Sequence, residues 1–315
     1  VKTLNIDSAS FTEIVRRACD GKKPADIEGD EVEMNKVKET MLSIVEKAGK
    51  HKNPWTGSGG MLLGTVKEIG PAYVGELKVG DKIATLVSLS LTPLKIDEIL
   101  EMRPTIDQVD IKGQAILFQS GIYGIIPDDM PEGLALSALD VAGAPAQAAK
   151  LVQSGQKVLV IGGGGKSGLL CLYEAKKRAG VTGKVVCAAG SQKSEDRARA
   201  LDLADEYFHL DATDAVGMYN KAMELTNGEL FDVVINCVNI ENTEMASILA
   251  TKDEGTVYFF SMATSFTKAA LGAEGVGKDV NMMVGNGYTK GHARAALQVL
   301  REDEGIMKLF AELYA

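Results

Sequence analysis

The chain has 315 residues, of which 45% are apolar and 24% charged, a composition typical of globular proteins that predicts about two domains. Its formal net charge of −9 argues against a nucleic-acid partner, because lysine and arginine supply most contacts to phosphate. The apolar runs are short, and none approaches the roughly 18 consecutive residues that a membrane span needs.

The first 130 residues are predicted to form a small β-rich domain. Short apolar runs broken by glycine predict four strands without regular crossover helices: Gly64–Gly70, Val79–Leu86, Ala115–Phe118 and Gly121–Ile126. Residues 11–52 form a charged insertion within this region. One helical face of the insertion is apolar and carries Val37, Met41, Ile44, Val45 and Ala48. Such a stripe predicts a docking face rather than a binding site.

The middle of the chain alternates strands with helices. Strands are predicted at Lys157–Ile161, Lys184–Ala188, Tyr207–Leu210, Phe231–Asn236 and Thr256–Ser261. The helices between them are predicted at Ser167–Ala179, Lys193–Leu203, Val216–Thr226 and Asn242–Leu249. This alternation predicts a doubly wound α/β domain with a parallel sheet covered on both faces. The last segment, Lys290–Tyr314, is predicted to be helical and to return to the β-rich domain.

A glycine-rich turn follows the first of these strands. Its glycines satisfy GxGxxG between a strand and a helix, the context that a dinucleotide site requires. Glycines let the backbone approach a pyrophosphate, and the helix N-terminus stabilises the negative charge of that group. The turn contributes six residues to the predicted cofactor site: Gly163, Gly164, Gly165, Lys166, Ser167 and Gly168.

A P-loop is the competing interpretation of this turn, because the run from Gly165 to Ser167 resembles the end of that motif. The P-loop also needs a glycine five residues before Gly165, and Val160 stands there, within the strand. The sequence therefore argues against a kinase or an ATPase.

The end of the second strand bears on the choice between NAD and NADP. NAD sites commonly place an acidic residue there to bind the ribose hydroxyls. This chain has Ser191 instead, followed by Lys193 and Arg197, and the missing carboxylate with added positive charge suits a 2′-phosphate. The alternative is that both basic residues lie on a solvated helix face and pair with Glu195 and Asp196.

Five stretches spread over nearly the whole chain carry a resemblance to a known family. They are LNIDSASF (Leu4–Phe11), GSGGMLLGTV (Gly57–Val66), VGDKIATLVSLSLTPL (Val79–Leu94), LDVAGAPAQAAKLV (Leu139–Val152) and SMATSFTKAALGAEGVGKDVNMMVGNGYT (Ser261–Thr289). With the glycine-rich turn, the chain resembles the medium-chain dehydrogenase/reductase superfamily and, within it, the L-erythro-3,5-diaminohexanoate dehydrogenases of lysine fermentation. The expected domains are a GroES-like β-rich domain at 1–140 plus 286–315 and a Rossmann domain at 141–285.

The resemblance implies an activity, namely oxidative deamination of L-erythro-3,5-diaminohexanoate to 5-amino-3-oxohexanoate and ammonia, with reduction of NAD or NADP. The family is mostly described with NAD. Zinc alcohol dehydrogenases of the same superfamily have a His–Glu pair where this chain has Gly60 and Met61, and a later cysteine ligand near Ser137. No zinc is therefore expected, and another group must transfer protons.

Amine oxidation needs a base for the substrate ammonium and then for water. Asp140 is the first candidate, because it stands in an apolar run just before the dinucleotide domain; its alternative is a structural acid that accepts backbone N–H groups. Glu274 is a candidate partner for the distal ammonium and Lys268 for the substrate carboxylate, with exposed surface roles as alternatives. Asp7 is a further acid, or else it caps a helix that begins at Ser8.

Residues at the carboxyl ends of the parallel strands complete the predicted cofactor site. They are Asp211, Ala212, Asn236, Cys237, Val238, Ser261 and Met262. Asp211 also fits the N-cap of the helix that follows it. Asn286 and Tyr288 are expected to close the nicotinamide side, with ordinary packing as the alternative for Tyr288.

Two other functions stay open from sequence alone. One is a zinc-independent quinone or enoyl reductase of the same superfamily, and the other is a dinucleotide-binding protein without catalysis. A homodimer is expected by analogy, through Ala269–Asp279 and a self-pairing edge strand near Lys278–Val284. Val1–Asp7 lacks the features of a signal peptide and the cysteines form no CxxC pair, which favours a cytoplasmic location.

Overall fold

The computed structural model describes residues 1–261, 263–285 and 287–315, and it divides into two compact units. The first unit comprises Val1–Asp140 with Ala311–Ala315, and the second comprises Val141–Phe310. Within the described residues, none of the helices has both the length and the apolar character needed to cross a lipid bilayer.

The first unit is built on an antiparallel sheet. Its strands are β1 (Thr3–Asn5), β2 (Met61–Thr65), β3 (Lys82–Thr85), β4 (Leu94–Arg103), β5 (Gln108–Ala115) and β6 (Tyr123–Ile125), and its helices are α1 (Ser8–Ala18), α2 (Glu31–Ala48) and α3 (Glu132–Leu139). The strand order is β4-β5-β1-β2-β3-β6. Each neighbouring pair of strands is antiparallel.

The helical insertion packs on the core of its own unit. Val37, Met41 and Val45 on α2 are buried in one cluster with Leu4 of β1 and Val109 of β5. The predicted apolar stripe is therefore a docking face, and the surface that it covers is the sheet of the first unit.

The second unit is built on a parallel sheet. Its strands are β7 (Lys157–Ile161), β8 (Lys184–Ala189), β9 (Glu206–His209), β10 (Phe231–Asn236), β11 (Thr251–Phe259) and β12 (Asn281–Val284). The helices are α4 (Gly143–Leu151), α5 (Lys166–Ala179), α6 (Gln192–Ala200), α7 (Ala215–Thr226), α8 (Glu244–Ala250), α9 (Phe266–Val276) and α10 (His292–Glu302), and α11 (Glu304–Tyr314) belongs to this unit as far as Phe310. The order β12-β11-β10-β7-β8-β9 reverses at β7 and β10, as in dinucleotide-binding folds, which confirms the doubly wound α/β prediction.

The strands of the antiparallel sheet differ most from the predicted strands. Strands β1 and β4 and nearly all of β5 were not predicted, and only Ala115 of the expected strand Ala115–Phe118 lies in a strand. The long β4–β5 pair has two register irregularities, and exposed charged residues interrupt the alternation of apolar positions along β4. Without that alternation the sequence pattern gives no strand signal.

The C-terminal segment also differs from the expectation, which assigned residues 286–315 to the β-rich domain. Helix α10 contacts α4 and α5, and its buried face carries Ala296, Leu297, Val299 and Leu300. Residues up to Phe310 therefore belong to the second unit, and only Ala311–Ala315 is grouped with the first.

Candidate active site

The glycine-rich turn is tied to the neighbouring strand by its own backbone. The N–H groups of Gly162 and Gly163 both donate to the carbonyl of Ala188, at 2.8 and 3.1 Å. The N–H of Gly165 donates to the carbonyl of Gly162 at 3.0 Å, and Gly165 is the N-cap of α5. The first turn of α5, with Lys166 and Ser167, therefore starts at the carboxyl end of β7. Its N–H groups form the kind of helix terminus that binds a pyrophosphate.

Three glycines of the turn are required by close packing. A Cβ atom on Gly168 would lie 2.1 Å from the carbonyl oxygen of Gly162, and one on Gly164 would lie 2.0 Å from the carbonyl oxygen of Ser194. A Cβ on Gly163 would lie 2.6 Å from Cys187 Sγ. A Cβ on Gly165 would meet only Gly162, at 3.4 Å, so the turn is open there. The turn thus has a packed side and an open side on which a ligand can approach the backbone.

The basic residues after β8 have separate environments. Arg197 Nη1 donates to the carbonyl of Gly164 at 2.8 Å, so this guanidinium lies against the glycine-rich turn rather than on a solvated face. The neighbouring Glu195 pairs with Arg199 at 2.6 Å and with His209 at 2.9 Å. Lys193 is exposed. Ser191 caps α6, because its Oγ accepts from the N–H of the third residue of that helix.

At the switch point of the sheet, the turn after β10 meets the glycine-rich turn. A Cβ on Gly162 would lie 2.8 Å from Val238 Cγ2, so these two turns are in contact. Asn236 is fully buried and donates to Thr243 Oγ1 and Ser247 Oγ, both at 2.9 Å. Its amide therefore holds the backbone after β10 against α8, which fixes where Val238 lies.

The other predicted cofactor residues in the second unit are spread over different turns. Cys237 Sγ lies 3.8 Å from Cys171 Sγ, and Ser261 Oγ accepts from the N–H of residue 263 at 3.1 Å. Ala212 is buried in the core. Tyr288 is exposed and makes an edge contact with the ring of His292. Met262 and Asn286 lie outside the described residues.

Asp211 does not cap α7, so that alternative is wrong. The N-cap is Asp214, whose carboxylate accepts from the N–H of Gly217. Asp211 instead accepts from both the backbone N–H and the hydroxyl of Thr213, at 2.9 and 2.8 Å, and these hydrogen bonds lower the pKa of Asp211. Its exposed carboxylate is already engaged in a local turn.

In the first unit, Asp140 stands at the C-cap of α3 and is half-buried. Its Oδ1 accepts from Asn5 Nδ2 at 3.0 Å, and Asn5 Oδ1 accepts from Gln108 Nε2 at 3.2 Å. Asn5 and Gln108 are not predicted as site residues from the sequence. For Asn5 the sequence gives one indication, because Thr3 and Asn5 alternate with Leu4 and so lie on one face of β1.

The other charged candidates, Asp7, Lys268 and Glu274, are not part of the Asp140 hydrogen-bond group. Asp7 caps α1 by accepting from the N–H of Ser10, which confirms the structural alternative. Lys268 and Glu274 are both exposed on α9 of the second unit, and Lys268 Nζ donates to Asn242 Oδ1 at 2.5 Å. The structure does not bring Lys268 and Glu274 together, because they are six residues apart and point to different sides of the helix.

The three histidines of the chain lie in separate environments. His51 is fully buried, and burial lowers its pKa to about 4. His209 pairs with Glu195, and His292 begins α10. Across residues 1–261, 263–285 and 287–315, no three His, Cys, Asp or Glu side chains lie close enough together to hold a metal ion.

Comparison with known proteins shows the family to which the chain belongs. Residues 1–127 match the family model described as L-erythro-3,5-diaminohexanoate dehydrogenase N-terminal domain, and residues 168–298 match the model described as zinc-binding dehydrogenase. A mycobacterial protein solved in complex with NADPH is 18% identical, with a TM-score of 0.52 over 81% of this chain and 72% of that one, a likeness in fold. L-erythro-3,5-diaminohexanoate dehydrogenases from Acetoanaerobium sticklandii and Fusobacterium nucleatum subsp. nucleatum are 55% and 54% identical over the whole chain and 88% of their own length. The chain therefore belongs to the L-erythro-3,5-diaminohexanoate dehydrogenase family.

Proposed function

We propose that the chain catalyses the NAD(P)-dependent oxidative deamination of L-erythro-3,5-diaminohexanoate to 5-amino-3-oxohexanoate and ammonia. The observation that carries this proposal is the identity of 55% and 54%, over the full chain, to two enzymes with that name. The geometry supports it in two ways. The second unit has a glycine-rich turn that opens at Gly165, and the first unit has a half-buried carboxylate, Asp140, held by an amide.

In the proposed mechanism, the proton transfers belong to Asp140. The 3-ammonium group must lose a proton before C3 can lose a hydride, and Asp140 accepts that proton. The nicotinamide, when bound, supplies the hydride acceptor. Asp140 releases the ammonium proton to solvent, takes a proton from the water that adds to C3, and returns that proton to the nitrogen. The nitrogen then leaves as ammonia, which takes up the proton of the C3 hydroxyl as the ketone forms. The substrate, the oxidised cofactor and water thus give the oxo acid, ammonium, the reduced cofactor and one proton.

The rest of the site is proposed from charge and placement. The open side of the glycine-rich turn and the first turn of α5 would hold the pyrophosphate. Glu274 and Lys268 are proposed to bind the distal ammonium and the carboxylate of the substrate, because each has the complementary charge. We also propose that zinc takes no part, since Gly60 and Met61 replace the ligand pair of the zinc enzymes and a carboxylate can transfer the protons.

The function is tested by an initial-rate assay with L-erythro-3,5-diaminohexanoate, with NAD and NADP in parallel. We expect formation of reduced nicotinamide with at least one of them, and ammonia in equal amount. Quinones and enoyl thioesters with NADPH serve as comparison substrates. Turnover of those compounds alone would indicate a quinone or enoyl reductase. Dinucleotide binding without turnover of any substrate would indicate a non-catalytic protein.

Arg197 is proposed to favour NADP through its place on the glycine-rich turn. Arg197→Ala is expected to raise the KM for NADP at least about tenfold, since a charged hydrogen bond contributes about 1.5–3 kcal/mol, and to change the KM for NAD less than about threefold. Lys150→Ala, which removes an exposed cation on α4 of the same unit, is the matched control and should change both values little. An equal rise for NAD and NADP would show that Arg197 only supports the turn.

A homodimer in the cytoplasm is the proposed state of the chain. Strand β12 is at the edge of the parallel sheet, and its Met282 and Val284 are partly exposed. An edge strand of this kind offers backbone groups to a second copy.

A further inference from the structure

A row of polar side chains crosses three strands of the first unit and ends at Asp140. Arg103 on β4 stands opposite Gln108 on β5, and Gln108 stands opposite Asn5 on β1. Directly opposed residues in an antiparallel sheet point to the same face. Asn5 and Gln108 are only 3% and 4% exposed, so their amides depend on partners inside the protein.

Each amide in this row has one favourable direction. Arg103 Nη2 donates to Gln108 Oε1 at 3.3 Å, and a guanidinium has no acceptor to offer in return. Gln108 therefore turns its oxygen toward Arg103 and donates from Nε2 to Asn5 Oδ1 at 3.2 Å. Asn5 in turn donates from Nδ2 to Asp140 Oδ1 at 3.0 Å. The row thus aims a donor, not an acceptor, at the carboxylate.

An ion pair holds the far end of the row. Arg103 Nη1 and Nη2 donate to the two oxygens of Asp110 at 2.9 and 2.8 Å, and Thr3 Oγ1 donates to Asp110 at 2.6 Å. Burial raises the pKa of the Asp110 carboxyl, but the hydrogen bonds from Arg103 and Thr3 outweigh burial and hold that pKa below its usual value. Asp110 is therefore ionised at neutral pH, and Arg103 keeps its orientation toward Gln108.

We propose that Asn5 is a positioning residue for Asp140, and that Arg103 and Gln108 fix the direction of the Asn5 amide. This inference rests on the proposed function of Asp140 as the base. A hydrogen bond to an ionised carboxylate is stronger than one between neutral groups, so it holds Asp140 in one orientation toward the substrate ammonium. Asp140 also stands at the C-terminus of α3, where the helix carbonyls repel a negative charge, and the Asn5 N–H offsets that repulsion.

Gln108→Glu tests the proposal by reversing the direction of the hydrogen bond between residue 108 and Asn5. A glutamate there accepts from both Arg103 and Asn5, so the Asn5 amide turns over and its oxygen faces Asp140. Asp140 then loses the donor that orients it, so we expect kcat/KM to fall about tenfold near neutral pH. Because the Asn5 oxygen repels a carboxylate, the acidic limb of the profile should also move about one pH unit higher. NMR of protein labelled with ¹³C-aspartate gives a readout without turnover, because the Asp140 signal, assigned from Asp140→Asn, should titrate at higher pH.

Two controls separate positioning from general damage to the fold. In an Asp140→Asn background the new amide can turn its own NH₂ group toward the reversed Asn5, so Gln108→Glu should lower the remaining rate less than about twofold there. Asn53 is another fully buried amide of the first unit, and it donates to Ser10 at 2.9 Å. Asn53→Ala should lower stability without moving the acidic limb.

If Gln108→Glu does not fold, Gln108→Met tests the same proposal. Methionine removes the donor to Asn5 Oδ1, so the Asn5 amide is free to turn, and no charge is buried. This variant should move the Asp140 titration in the same direction by a smaller amount. An unmoved titration in the folded Gln108 variants would overturn the positioning proposal even when Asp140→Asn is inactive. Full activity of Asp140→Asn would overturn the proposed base instead, while a moved titration would still support the role of Asn5 in holding Asp140.

Discussion

Asp140→Asn is expected to lower kcat/KM for L-erythro-3,5-diaminohexanoate by about 10²–10⁴-fold, the usual contribution of a general base. The substitution keeps the shape of the side chain and its acceptor for Asn5 Nδ2, so the fold and dinucleotide binding should change little. The measurement is the pH profile of kcat/KM together with the dinucleotide Kd. In the variant, the acidic limb that reports the base should disappear.

Glu132→Gln is the matched control for this loss of charge. Glu132 begins the helix that Asp140 ends, and it pairs with Lys2 and Lys82 at the surface. Surface ion pairs contribute at most about 1 kcal/mol, so this variant should retain activity within about twofold. If Asp140→Asn kept the rate of the unmodified protein and bound the cofactor normally, Asp140 would not be the base.

Gly168→Ala is expected to lower the free energy of unfolding by about 1–3 kcal/mol, the cost typical of overpacking, and to raise the dinucleotide Kd more than about tenfold. The added methyl would stand 2.1 Å from the carbonyl oxygen of Gly162, and backbone cannot move aside as a flexible side chain can. The turn must therefore shift away from α5, and its open side shifts with it. Calorimetry and dinucleotide titration measure the two effects.

Gly275→Ala separates the effect of packing from the effect of a methyl group on a helix. Gly275 lies on α9, and a Cβ there meets nothing within 4 Å. Because alanine has the higher helix propensity, this variant should be as stable as the unmodified protein or slightly more so. Equal stability and equal Kd for Gly168→Ala would mean that the turn does not need its third glycine.

The second unit was largely predictable from sequence because its signals are local. Buried parallel strands such as β7 and β10 give continuous apolar runs, and both were predicted with the correct ends. The glycine-rich turn follows from a motif of a few residues between a strand and a helix. Arg197 is predicted from sequence only as a basic residue after the second strand, because its hydrogen bond to Gly164 depends on how α6 packs, which the sequence does not show.

The first unit was harder to predict because its functional features arise from distant pairings. Asn5 meets Gln108 only through the β1–β5 register, and Gln108 meets Arg103 only through the irregular β4–β5 register. Composition and spacing identified Asp140 as an isolated acid in an apolar run. The amide that holds it is 135 positions away along the chain, so no local pattern could have indicated it.

The most direct measurement of the proposed reaction is a single turnover of diaminohexanoate that carries deuterium at C3. We expect the deuterium to appear on the nicotinamide ring of the reduced cofactor, and one ammonia and one 5-amino-3-oxohexanoate to form for each cofactor reduced. Deuterium that stays on the substrate carbon, or reduced cofactor without ammonia, would contradict oxidation at the 3-amino group.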